Sequence, residues 1–473
     1  MAQHPLATLR TSVGLTHAAY ARLVADTHEA LGFGVIVARR EKVSRWESGR
    51  TVPSPSAQIA IAHIHGVPEA DVVRLGWPGW LTEAAAAGSP NEEPWSAQYA
   101  VEAARDAADA ADRPESAFPL ALASSGGMLL GQVKAALAAL EQPRPVPARA
   151  GRPVRPATLH WVEVRLRALE RQEAGSASTP GALFHAARAE HRLVAGLLTG
   201  AGHDRRTGAR LLYLAARTAR LCACLSTCLG DFATAERYSL AALRAATAVG
   251  ARHQSIVCLA DLAGLHAAVG APKDALCVLG GARTAAPRLP PRLAALLDTW
   301  EALALVRSGE ILAGLRALDR AGSTLSADRT RPASADGLPD RDLDAMRLTL
   351  CAGLSSLHQG RPRAALSRLV PLTDPEAATG PDGPRPSPFT AGVLLYTVDA
   401  QLALGELDLA TRSVQQAAAL AGGLPAALAG EYRRRFAPHH DERLVRDLHD
   451  LLGGRPEQAG GRPEHTRAPG TTT

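Results

Sequence analysis

Aromatic residues are scarce in this 473-residue chain: six Phe, six Tyr and six Trp make up 4% of it. The apolar 46% is mostly Ala and Leu, which favour helix, while the β-branched and aromatic strand formers are few. An all-α protein is expected. Lysine is rarer still, with Lys42, Lys134 and Lys273 set against 49 arginines. Beside so much Ala, Gly and Pro, that bias reads as high-GC coding, so arginine content by itself carries no functional meaning. Long uncharged apolar runs are missing too. None approaches the roughly 20 residues of a membrane span, and no charged leader with an apolar run follows Met1. Neither a membrane partner nor a signal peptide is expected. The six cysteines all fall between positions 222 and 351 on helical segments, as suits buried, reduced thiols in a cytoplasmic protein.

Catalytic signatures are also lacking. No P-loop, dinucleotide fingerprint, His-Glu-x-x-His or Gly-x-Ser-x-Gly run occurs, and Gly32-x-Gly34 has nothing further of a phosphate-binding pattern. No enzyme, no cofactor and no metal is expected. Cys222, Cys224 and Cys228 share one helical stretch, but 222 lies nearly opposite the other two, so they cannot converge on one ion. His439-His440-Asp441-Glu442 has ligand chemistry, yet adjacent histidines point apart. Arg433-Arg434-Arg435 reads as a solvated helix face, and Trp77 with Trp80 as a staple against the next helices.

What the chain does contain is a local concentration of charge. Between Arg39 and Arg50 stand five basic residues, Arg39, Arg40, Lys42, Arg45 and Arg50, against Glu41 and Glu47. Val43 and Trp46 are three apart and can bury one edge of a short helix, while Arg40, Glu41, Lys42 and Ser44 project elsewhere. Gly49 is placed to cap that helix, and Pro53 and Pro55 stop its continuation. Leu6 and Leu9 mark a short helix before it. Thr16 is an N-cap for a second helix through Tyr20, Ala21, Leu23 and Val24. Ile59, Ala60, Ala62, His63 and Ile64 mark a fourth, ending at Gly66-Val67-Pro68.

These marks, Gly14-Leu15-Thr16, Tyr20-Ala21, Val43 to Gly49, Pro53 and Ile59-Ala60, resemble the phage-repressor-type helix-turn-helix of the xenobiotic-response-element (XRE) family over residues 5–68. The resemblance implies double-stranded DNA as partner and a recognition helix slim enough for the major groove. Arg39, Lys42, Arg45 and Arg50 would then meet phosphates, and Arg40, Glu41 and Ser44 would reach bases. Val43, Trp46 and Gly49 would anchor the helix. One departure stands out. About a dozen extra residues, roughly Ala25 to Val37, separate the second and third helices, so helix two runs on or a small wing forms.

Beyond residue 210 the chain repeats. Gly230, Gly270, Gly309, Gly360 and Gly405 are each followed five residues later by a small residue: Ala235, Ala275, Gly314, Ala365 and Ala410. Twelve residues after the Gly stand Ala242, Ala282, Ala321 and Ala417, with Leu372 as the exception. The pattern predicts antiparallel helix pairs turning at the Gly and touching at the small residues. It resembles the tetratricopeptide repeat, although the turn glycines are 40, 39, 51 and 45 residues apart rather than about 34. The longer intervals hold Pro-, Asp- and Gly-rich loops at 326–339 and 373–388. Four parts follow: a helix-turn-helix head at 1–75, a helical connector with a Pro- and Arg-rich linker at 76–156, a repeat array at 157–452, and a tail at 453–473 expected to be disordered. The order resembles large helix-turn-helix regulators of high-GC bacteria with C-terminal repeats. That likeness implies a homodimeric transcriptional regulator whose array pairs protomers or receives a peptide or protein effector. The competing reading is a repeat scaffold whose head contacts protein instead of DNA.

Overall fold

In a computed structural model of the chain, the structure describes residues 4–12, 15–65, 67, 69–86, 95–110, 122, 124–142, 145–174, 180–285, 288–328, 341–373 and 390–453. It is all-α. Among the described residues there is no strand, only two isolated bridges, and no helix long and apolar enough to cross a membrane. The expected tail lies outside the described residues from 454 on, as do most of the loops at 326–339 and 373–388.

The head is built from α1 (Pro5–Ser12), α2 (His17–Ala30), α3 (Arg40–Glu47), α4 (Pro55–Ile64), α5 (Glu69–Leu75) and α6 (Gly79–Ala86). Thr16 caps α2 by accepting from the Ala19 N–H at 3.3 Å, and Ser54 caps α4 through Ala57 at the same distance. Leu6, Leu9, Tyr20, Val24, Val43, Trp46, Ile61, Trp80 and Leu81 form one core. Trp77 meets Trp80 edge-on at 5.8 Å, so the tryptophan pair fastens α6 into the head and against α1. The expected insertion is spent in two ways. Its first part lengthens α2 to Ala30, and the remainder, 31–39, is irregular chain without a strand.

The connector helices α7 (Ala97–Ala110) and α8 (Gly126–Glu141) join the core of the array instead of standing free. Ala100, Ala104 and Ala107 of α7 and Leu129, Val133 and Ala136 of α8 are buried there. The start of α8 also reaches the other way, because Met128 belongs to the head's core. Just before it, the Ser124 N–H donates to the buried Glu236 carboxylate at 2.9 Å and the Gly126 N–H to Asp274 at 3.0 Å. Head and array therefore meet at Ser124, Gly126 and Met128. In the Pro- and Arg-rich linker, the described residues 145–155 form no helix, and their backbone is not free. Arg149 exchanges hydrogen bonds with His203 at 2.8 and 2.9 Å, the Val154 N–H donates to Gly202, and Val146 is buried.

The array opens with α9 (Pro156–Ala174) and α10 (Pro180–Gly200). Five hairpins of tetratricopeptide type follow: α11 (Arg205–Cys228) with α12 (Phe232–Ala248), α13 (Arg252–Ala268) with α14 (Pro272–Ala285), α15 (Pro291–Arg307) with α16 (Ile311–Asp328), α17 (Arg341–His358) with α18 (Pro362–Leu369), and α19 (Thr390–Ala403) with α20 (Leu407–Ala421). Each turns at its repeat glycine, and Gly230, Gly309, Gly360 and Gly405 take φ between 69° and 87°. Gly270 serves for another reason: a Cβ there would meet His266 Nδ1 at 2.8 Å and Leu122 Cδ1 at 2.9 Å. The small residues five and twelve positions on are buried, and Gly314 lies directly against Ala302 and Val306 of the preceding helix. Leu372 breaks the pattern because α18 ends at Leu369, so position 372 falls in a 3-10 turn past the helix.

Successive hairpins are tied by ion pairs between their first helices, Arg220 to Asp261 at 2.6 Å and Arg292 to Asp344 at 2.6 Å. Arg347 of α17 reaches back to Cys224 of α11 at 3.9 Å. Cys222, by contrast, is fully buried in the array's core, in the same cluster as Tyr238 of α12. The array curls enough for α19 to touch α11 and for α20 to touch α10. The chain closes with α21 (Ala426–Phe436) and α22 (Arg443–Gly453). On α21, Arg434 pairs with Glu431 at 2.5 Å and Arg435 pairs with both Glu431 and Asp399, so two of the three clustered arginines are engaged within the fold.

Close packing at the small residues makes a direct prediction. A Cβ added at Gly314 would stand 2.8 Å from the Ala302 carbonyl oxygen and 2.6 Å from Val306 Cγ2. Gly314→Ala should cost about 1–3 kcal/mol by overpacking. Gly322→Ala on the same helix meets only Leu348 at 3.6 Å and should be neutral or stabilising by about 0.5–1 kcal/mol. Thermal unfolding of the two variants separates the cases, and equal melting temperatures would contradict the packing.

Acid sensitivity follows from two buried histidines. His65 accepts or donates to Tyr20 Oη at 2.7 Å, and His191 lies between Thr218 Oγ1 and the Ala104 carbonyl at 2.9 and 2.8 Å. Burial pushes each imidazole from its ordinary 6.5 down to about 4. Between those values the unfolded chain binds more protons than the folded one. The stability these two groups contribute is thus complete above pH 6.5 and drains as pH falls towards 4. His65→Gln, which cannot take up the proton, should flatten that decline in pH-dependent melting curves.

Candidate nucleic-acid interface

The helix α3 is short and two-sided. Val43 is fully buried and Trp46 nearly so, both in the core of the head. Arg40, Glu41, Lys42, Ser44 and Arg45 are exposed, as is Arg39, which precedes the helix in an extended conformation. The spacing of the two apolar residues fixes this phase, and every polar residue expected on the outer face is there. At the far end Gly49 takes φ 68°. The Gly49 N–H donates to Trp46 O at 3.1 Å and the Arg50 N–H to Arg45 O at 2.9 Å. This pair of bonds is the Schellman cap, which satisfies the last carbonyls and turns Arg50 away from the helix.

Charge on the outer face is mostly uncompensated. Glu41 is the one acid there among the described residues, and it pairs with Arg40 at 3.0 Å. Its carboxyl is held below the usual range, first by its own backbone N–H and then by Arg40. It therefore stays ionised and acceptor-only, the form that would take a hydrogen bond from a cytosine amino group.

Glu47, the other acid of the run, does something the sequence did not suggest. It points inward to α1 and α2. Arg10 Nε donates to it at 2.5 Å and His17 Nε2 lies 2.8 Å away, while a second Arg10 nitrogen donates to Leu15 O at 2.6 Å. Arg10 and Glu47 are both close to buried. Three segments are thereby keyed together at the end of α3. A lone arginine in an apolar helix and a glutamate in a charged run read as surface residues, and no spacing rule links positions 37 apart.

The inserted chain is pinned by a second missed residue. His28 is buried; its Nδ1 donates to Gly34 O at 2.7 Å, and the Ser56 hydroxyl lies 2.9 Å from its Nε2. Because a carbonyl only accepts, Nδ1 must carry the proton. The Phe33 ring lies 5.3 Å from the imidazole. The segment leading into α3 is thus fixed to α2 and α4, and its Ile36 packs on the head's core.

With this geometry in place, comparison defines the class of the head. A family model described as a helix-turn-helix domain matches residues 4–75, which takes in α1 to α5 and the whole basic face. The N-terminal part of the chain is a helix-turn-helix domain, followed by an all-helical repeat region. No curated protein and no solved structure matches the chain.

The anchoring contacts can be tested on the full chain. Trp46→Ala should destabilise the head by about 3–5 kcal/mol as a buried aromatic is lost. Glu47→Ala should cost about as much, because Arg10 is left buried without its carboxylate. Hydrogen exchange across 5–65 reads both effects locally. Unchanged protection in Glu47→Ala would show that the pair is not what holds α3.

Proposed function

We propose that the protein is a sequence-specific DNA-binding transcriptional regulator of the XRE type, from a high-GC bacterium and acting in the cytoplasm. The observation that carries this reading is the outer face of α3, which turns Arg39, Arg40, Lys42 and Arg45 to solvent with Arg50 just beyond, inside a matched helix-turn-helix domain. On this reading Arg39, Lys42, Arg45 and Arg50 neutralise phosphates and set register, while Arg40, Glu41 and Ser44 read base edges. A net charge of +6 supports the attraction without specifying sequence.

One such head covers too few base pairs to be selective in a genome, so a homodimer on two half-sites is the working form. The array is then the surface for pairing protomers or for binding a peptide or protein effector, since stacked helix pairs present an extended surface. The packing of Met128, Ser124 and Gly126 between head and array supports a mechanical link between effector and DNA.

Selection from random duplex DNA with the full-length protein tests the reading. An enriched motif with two related half-sites is the expected result. Arg40→Ala and Glu41→Ala should shift the preferred bases, each costing about 1–3 kcal/mol on the wild-type site. Lys42→Ala should weaken all sequences alike and reduce the salt slope by about one. If no motif is enriched and binding shows no salt dependence, the head serves protein contact and the regulator reading is lost.

A further inference from the structure

Two apolar side chains stand exposed beside the basic face. Val35 is 79% and Val37 60% exposed, on the chain that leads directly into Arg39 and α3. Between them Ile36 is partly buried and packs onto the core of the head. Arg39, two residues after Val37, is exposed as well. Single exposed valines are ordinary on a protein surface. These two are not loose. The chain carrying them is fixed at Gly34 by the buried His28 and at Arg39 by the start of α3.

We infer that Val35 and Val37 contact thymine methyl groups next to the base pairs that α3 covers, and so add to the sequence preference of the head. The inference rests on the DNA-binding reading above. Charge chooses the occupant: the described residues flanking the pair on its C-terminal side are Arg39, Arg40, Lys42 and Arg45, with Glu41 alone opposing them. That surround is complementary to a polyanion. The exposed apolar area is small, the two valines with Phe33 37% exposed on the same segment, which is little for a protein or membrane interface but enough for single methyl groups in an otherwise polar groove. The start of a recognition helix is also the end that meets base edges, so the chain just before it is carried to the groove.

The test uses the full-length protein and the duplex it enriches from random DNA, with each thymine in turn replaced by uracil, which removes only the methyl group. At one or two thymines beside the half-site centre, the wild type should lose about fourfold in affinity per methyl. Val35→Ser and Val37→Ser should each abolish that loss at one thymine while binding the uracil duplex as well as the wild type does. Both side chains are exposed, so the variants should melt as the wild type does. Wild-type binding that ignores every thymine-to-uracil change, or serine variants that keep the discrimination, overturns the inference and leaves the DNA-binding reading standing. A serine variant that keeps the discrimination but alters sedimentation or binding to anionic vesicles assigns the valines to a second copy or to a lipid surface instead. Failure to enrich any duplex removes the DNA-binding reading and this inference with it.

Discussion

The orientation of α3 hangs on one carboxylate. An eight-residue helix does not persist on its own in water. Val43 and Trp46 give it a buried edge, but two apolar contacts on one side allow it to roll about its length. Glu47, held by Arg10 from α1 and His17 from α2, removes that freedom. A glutamate in the last turn of a helix opposes the macrodipole, so its position there is a local cost that the inter-helix bonds offset. The result is a basic face whose direction is set from behind, by residues that lie off that face.

Much of this was legible in the sequence. The apolar spacing of Val43 and Trp46, the caps at Thr16 and Gly49 and the stop at Pro53 are local rules, each read from a few adjacent residues. The hairpin turns and their buried small residues were legible for the same reason, since a repeat writes its geometry several times over. What could not be read was anything that depended on distant partners. Arg10 and Glu47 look like ordinary surface charges until the helices are placed. His28 sits in the last turn of α2 with no hint that a loop folds back onto it. Position 372 is a different case: α18 stops at Leu369, and Pro371, which cannot continue a helix, is a local mark of that stop.

The connector shows the same limit on a larger scale. Its helices are rich in Ala, so nothing in their pattern says which body they belong to. In the structure α7 and α8 fill out the array's core, and the turn before α8 is gripped by the array's Glu236 and Asp274 while Met128 enters the head. Burial raises the Asp274 carboxyl, and the Gly126 N–H works against that rise. Two buried acids accepting backbone N–H groups are sensitive to small displacements, because an unmade bond there leaves a desolvated charge. A shift of α12 or α14 would therefore be felt at the head through a few rigid residues and not through a slack tether.

The curl of the array has a consequence for how it can change over evolutionary time. A straight row of hairpins can gain or lose a unit at either end, since each unit answers only to its neighbours. Here α19 rests on α11 and α20 on α10, while Arg347 of the fourth hairpin reaches Cys224 of the first. A duplicated hairpin would have no place to sit without prising those contacts apart, and a deleted one would leave both faces bare. The number of units is thus fixed by geometry in the way a barrel's circumference fixes its strand count. Variation is confined to the lengths between turns, which is where this sequence in fact varies, from 39 to 51 residues.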